Sequence, residues 1–198
     1  MDTFEIYQLI LFWKSKTYLS EESLDYDVEL YENAIDQFIH DYRRWYDSEV
    51  IDIHRLNMTP QLHPILTYRL ARLLYLKGDE AQASIYSVLG RILGLVEIYY
   101  SAQIGRGIKI NHGVGCVIGA RCIIGDNCIL HQGVTIGDRN GGRPIIGNNV
   151  IIYAGAKVLG DITIGDYSVI GANAVCLRSS PPRAVCVGVP ARNIAEDE

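Results

Sequence analysis

The 198-residue chain is short of the features that most quickly assign a compartment or a ligand. It has no uninterrupted apolar run of about twenty residues, the length a membrane-spanning helix needs. Its N-terminus, MDTFEIYQLILFWKSK, has neither a basic start nor a small-residue cleavage site. A soluble, cytoplasmic protein with no membrane partner is expected. Basic residues are outnumbered, 18 Lys and Arg against 23 Asp and Glu, and they are scattered along the chain. Phosphate neutralisation needs them clustered, so nucleic acid is excluded as an expected partner. The five cysteines are an odd number and form no CxxC pair, which argues against a disulfide framework or a zinc site.

Glycine is scarce in the first half: three of nineteen precede Leu95. That stretch carries helical spacing instead. Leu66, Leu70, Leu73 and Leu74 fall at i, i+4, i+7 and i+8, and Leu30, Ala34, Ile35 and Phe38 do much the same. Breaks at Ser20 to Glu22, at Thr59-Pro60 and at Gly78-Asp79 predict roughly four helices between residues 3 and 95. Residues 1–96 are thus expected to form an α-helical domain. A hydrophobic content of 48% with 21% charge supports an ordinary packed core rather than disorder.

From Ile98 the pattern changes to a period of six. Aliphatic residues recur at Ile98, Ile104 and Ile110, then at Ile118, Ile124, Leu130 and Ile136. A third run continues through Ile146, Ile152, Val158, Ile164, Ile170 and Cys176. Glycine follows many of them directly, as at Gly105, Gly119, Gly125, Gly137, Gly147, Gly165 and Gly171. An inward residue every six positions predicts a solenoid in which each hexad is one strand and one turn, three hexads to a triangular coil. Residues 97–198 are expected to form this parallel β-helix, giving an α+β fold. Cys116, Cys122 and Cys128 keep the same spacing and read as small lattice residues.

Two insertions interrupt the lattice. Two extra residues enter around Asn111-His112-Gly113 and four around Asp138 to Arg143. Insertions in a solenoid project from the coil and are where chemistry is sought. A neutral imidazole can take a proton from an attacking hydroxyl, so His112 is a candidate general base; a loop histidine without a role is the plainer reading. His131 lies 19 residues later, or 17 once the two inserted residues are subtracted, near the 18 of one coil. It is expected about one coil beyond His112. Two histidines fall short of the three or four ligands zinc prefers, so no metal is expected. Asp138, Arg139 and Arg143 occupy the second insertion. Ser180-Pro181-Pro182 is expected to stop the repeat, with Arg178 and Arg192 placed to meet a phosphate.

The stretches IGRGIKINHGVGCVIGARCIIGDNCIL, QGVTIGD, AGAKVLGDITIG and VGVPAR resemble the hexapeptide-repeat acyltransferases, and among them the serine O-acetyltransferase family. HPILTYRLARLLYLKG is similar to the helices preceding the β-helix in that family. The resemblance implies a left-handed coil and an acetyl-CoA donor, with L-serine as acceptor for cysteine biosynthesis. It further implies a homotrimer, or a dimer of trimers, with active sites between subunits. His112 corresponds to the base histidine. Backbone around Asp138, Arg139, Ala154 and Ala172 corresponds to the pantetheine and phosphate groove.

Three departures stand out. Asn111 replaces the family's aspartate, Gly142-Arg143-Pro144 replaces Arg-His-Pro, and Tyr153 replaces a glycine. Asn111 can orient His112 but offers no negative charge to an ammonium group. Arg143, with His131 beside the acceptor, could clamp a carboxylate or phosphate. A sugar hydroxyl of a capsule, exopolysaccharide or nucleotide-sugar precursor is the alternative acceptor. Metal lyase and inactive scaffold are the remaining alternatives. The ending Ala195-Glu196-Asp197-Glu198 lacks the tail that docks on the sulfhydrylase in many relatives, so no such complex is expected.

Overall fold

The structure, a computed structural model, describes residues 2–195. The ending just mentioned lies mostly outside the described residues. The chain divides into two compact units between Tyr100 and Ser101.

The first unit contains α1 (Thr3–Ser15), α2 (Val28–Tyr46), α3 (Ile53–Asn57), α4 (His63–Leu76), α5 (Glu80–Gly94) and strand β1 (Val96–Ile98). Among the described residues there are five helices where four were expected. Asp47, in the left-handed region at φ 46°, ends α2, and the Asp52 carboxylate accepts from Arg55 N at 2.9 Å to start the short α3. Aspartate does the same at Asp2, Asp27 and Asp79, each accepting an orphan amide of the first turn. Helix α4 was expected to be amphipathic, but residues 63–71 are buried all round. It therefore forms the centre of the unit. Arg69 on α4 makes a two-pronged ion pair with Asp41 at 2.9 and 3.0 Å, both side chains almost fully buried. Lys14 is buried too, its Nζ donating to the carbonyls of Leu19, Ser20 and Glu22 at 2.6 to 2.9 Å.

The second unit is a left-handed parallel β-helix of about five coils. Its strands begin with β2 (Gln103–Ile104), β3 (Lys109–Asn111), β4 (Cys116–Ile118), β5 (Ile123–Ile124), β6 (Ile129–His131) and β7 (Thr135–Gly137). They continue with β8 (Ile145–Ile146), β9 (Ile151–Ile152), β10 (Lys157–Leu159), β11 (Thr163–Ile164), β12 (Val169–Ile170) and β13 (Val175–Cys176). The chain closes with β14 (Val185–Val187) and β15 (Arg192–Asn193). One wall runs β4-β7-β10-β13, a second β2-β5-β8-β11 and a third β3-β6-β9-β12-β14-β15, with all pairs parallel except β14 with β15. Every one of the thirteen period-six residues is buried.

The prolines do not end the repeat. Ser180 pairs with Ile164 as the next residue of the second wall, and β14 adds to β12 with Cys186 opposite Ile170. Pro181 and Pro182 occupy the corner between those walls, stacked on Gly165, where no ladder amide is required. A Cβ on Gly165 would lie 2.3 Å from Pro182 N, so the corner tolerates glycine alone.

Candidate active site

The corners joining the third wall to the first carry the first insertion. Gly113 N donates to Asn111 O and Val114 N to His112 O, both at 2.8 Å, so His112 (φ 64°) and Gly113 (φ 67°) are the centres of two successive three-residue turns. A side chain at the centre of such a turn with positive φ is strained, and the strain is held by the lattice on either side. The result is an exposed His112 ring standing off the edge.

Successive coils stack on this corner. Gly133 N donates to Val114 O, Gly155 N to Gln132 O and Asn173 N to Ala154 O, at 2.8 to 2.9 Å. The edge therefore reads, coil by coil, His112 with Val114, then His131 with Gln132, then Tyr153 with Ala154, then Ala172. His131 is one coil beyond His112, in register with Asn111. Its ring stacks on Tyr153 with centroids 5.0 Å apart and planes inclined by 22°. Burial, followed by the charge of His112, holds the His131 imidazole below its ordinary range. Cys116 lies beneath the edge and donates to His131 O at 2.9 Å, and burial pushes its thiol up.

The second insertion lies on a different edge, where the first wall turns into the second. It is a tight hairpin: Arg139 and Gly142 pair antiparallel across Asn140 (φ 56°) and Gly141 (φ 84°). Asn-Gly with both residues at positive φ matches strand twist in a two-residue turn. That dipeptide is the sequence signal from which the hairpin can be found. Gly142 packs so closely on Asp161 that a Cβ would lie 2.3 Å from its amide nitrogen. Arg143 braces the hairpin, donating from Nε to Ala120 O at 2.8 Å and from Nη1 to Gly142 O at 3.0 Å, and pairing with Asp138. Its guanidinium is thus spent largely on its own loop.

Arg139 projects elsewhere. With Arg178 and Arg192 it lines a cleft of about 300 Å³ floored by Leu177, Pro190 and Ala191. Three guanidinium groups around an apolar floor suit a ligand carrying several phosphates. Arg139, by the resemblance, and Arg178 and Arg192, by their place at the end of the repeat, are all expected around a phosphate-bearing donor, and the cleft brings the three together. Nothing in the spacing links them; only the folding of the terminal hairpin back over the last coil does. Among the described residues, no group of three or more His, Cys, Asp or Glu is arranged to hold a metal.

A β-helix with a projecting histidine on one edge and an arginine-lined cleft defines a hexapeptide-repeat transferase. A family profile described as bacterial transferase hexapeptide (six repeats) matches residues 143–178. The serine acetyltransferase of Helicobacter pylori strain J99 is 42% identical over 146 residues, covering 72% of this chain and 85% of that protein. That of Mycobacterium tuberculosis is 43% identical over 143 residues, covering 70% of this chain and 62% of that one. The crystal structure of Neisseria gonorrhoeae serine acetyltransferase in complex with serine superposes with a TM-score of 0.76 at 30% identity, covering 94% of this chain and 82% of that one. A serine acetyltransferase in complex with CoA gives a TM-score of 0.74 at 31% identity, covering 84% and 74%. The chain belongs to the serine acetyltransferase family.

Proposed function

We propose that this chain transfers an acetyl group from acetyl-CoA directly to the hydroxyl of L-serine, with His112 as the base. The observation that carries the reading is the lattice-held His112 on an edge shared with His131, in a chain of this family. The imidazole accepts the serine proton as the hydroxyl oxygen attacks the thioester carbonyl. Backbone amides at the edge stabilise the resulting oxyanion. Collapse expels the CoA thiolate, which recovers the proton from the imidazolium. Asn111 positions His112 through the turn that its carbonyl closes. No acyl-enzyme is required, and Cys116, Cys122 and Cys128 are buried in the coil.

The proposed residues lie on two edges of one subunit, His112, His131, Ala154 and Ala172 on one and Asp138, Arg139 and Arg143 on another. A three-fold assembly would set the first edge of one subunit against the second edge of its neighbour, which is why we place the active site between subunits of a trimer. Arg139, Arg178 and Arg192 would then receive the phosphates of the donor. Purified protein should release CoA from acetyl-CoA on addition of L-serine, with an initial-velocity pattern in which both substrates bind before either product leaves. Release only with a saccharide would replace serine as acceptor, and a ping-pong pattern would replace direct transfer.

A further inference from the structure

Each coil places one aliphatic side chain from each wall at the centre of the prism, until the last. In the first wall the inward column runs Ile118, Ile136, Val158, Cys176. In the second it runs Ile124, Ile146, Ile164, Ser180, and in the third Leu130, Ile152, Ile170, Cys186. These three columns therefore end in two thiols and a hydroxyl where every position below in them is hydrocarbon. All three residues line one cleft, together with Arg178 and Arg192.

Within that layer the two thiols sit on the first and third walls and line the same cleft. The neighbouring Cys176 thiol holds the Cys186 thiol below its ordinary range against the opposing effect of burial, while Cys186 and burial push the Cys176 thiol up. Ser180 Oγ is buried without a hydrogen-bond partner. All five cysteines are buried, but Cys176 and Cys186 line the cleft at the end of the prism, whereas Cys116 and Cys122 lie lower in the stack, where burial pushes their thiols up. One activated thiol beside a second one, at the end of the prism and lining a cleft, is the arrangement of an attacking and a resolving cysteine.

We propose that Cys176 and Cys186 are a reversible oxidation site that closes to an intrachain disulfide on exposure to a hydroperoxide. The Cys186 thiolate attacks the peroxide, breaking the O–O bond; its sulfur is oxidised to the sulfenic acid, and the departing alkoxide or hydroxide takes up a proton. The Cys176 thiol then attacks the sulfenic sulfur, the S–S bond forms and water leaves with the thiol proton. One peroxide is reduced to alcohol or water as two thiols become one disulfide. The bridge would tie β13 to β14 beneath Arg178 and Arg192. On the reading of the arginine cleft as the donor end, which this consequence rests on, the oxidised protein should show a raised KM for acetyl-CoA.

The test is hydrogen peroxide treatment of the intact full-length protein, with thiol counting after denaturation and peptide mapping by mass spectrometry. Five thiols should fall by two, with the peptides of Cys176 and Cys186 recovered linked, lighter by two hydrogens and separated again by dithiothreitol. Cys176→Ser should leave a sulfenic acid on residue 186 that dimedone traps. Survival of all five thiols, or oxidation spread over Cys116, Cys122 and Cys128, would overturn the proposal. A linked protein with an unchanged KM for acetyl-CoA would leave the bridge established and contradict the donor-cleft reading instead.

Discussion

The two units are stabilised by opposite means. In the helical unit, single polar contacts between buried side chains or from them carry specificity: Arg69 with Asp41, Lys14 with three carbonyls, and Tyr31 with Tyr86 through their hydroxyls at 2.7 Å. In the β-helix the interior is repetition, aliphatic on aliphatic, and polar groups are relegated to corners. There the Asp126, Asn148 and Asp166 side chains each accept a backbone amide of the preceding coil at 2.7 to 2.8 Å. A lattice makes its exceptions conspicuous, which is why His112, the hairpin and the thiol layer stand out. A helical core hides its exceptions, because a buried arginine looks like any helical arginine until its partner is found.

That contrast can be broken by substitution. Asp41→Ala should destabilise the helical unit by roughly 3–5 kcal/mol, because it removes the carboxylate paired with a buried guanidinium. Urea unfolding followed by the fluorescence of Trp13 and Trp45, both in this unit, measures it. A loss below about 1 kcal/mol would mean water reaches Arg69. Leu130→Ala, between Ile110 and Ile152 in the third wall, should cost about 2–5 kcal/mol by leaving a cavity in the stack. Unfolding followed by the β-sheet circular dichroism signal reports it; a neutral result would mean the coils are not close-packed. The smallest effect is expected from acid. Burial holds the His63 imidazole below its ordinary range, outweighing its contacts with backbone carbonyls. Its folded form binds protons less readily than the unfolded chain. Stability of the helical unit should therefore be full above the unfolded value near 6.5 and decline as pH falls through it. His63→Gln should flatten that decline, and an unchanged slope would assign the acid loss to other groups.

Most of the β-helix was legible because its period is set by geometry: all thirteen residues picked by spacing are buried. The one misreading there was local. Ser180-Pro181-Pro182 looks like a terminator, yet the prolines fit a corner and the column continues to Cys186. The helical unit was legible only as helices. Its extra element α3 depends on one left-handed Asp47 and one capping Asp52, and neither leaves a periodic trace. At the site, the positions of His112 and His131 followed from counting residues per coil. Arg143 was expected to face a ligand, but its contacts with Ala120, Gly142 and Asp138 depend on the hairpin's shape. The grouping of Arg139, Arg178 and Arg192 requires three distant segments to meet.

The central claim is that the strained corner exists to present His112 as a base. The direct measurement is the turnover number of His112→Ala with saturating acetyl-CoA and L-serine, beside its thermal unfolding midpoint. We expect kcat to fall by about 10²–10⁴-fold with the midpoint unchanged or raised, since alanine removes the ring and leaves the lattice intact. Turnover equal to that of the unsubstituted protein would contradict the account, whatever the stability.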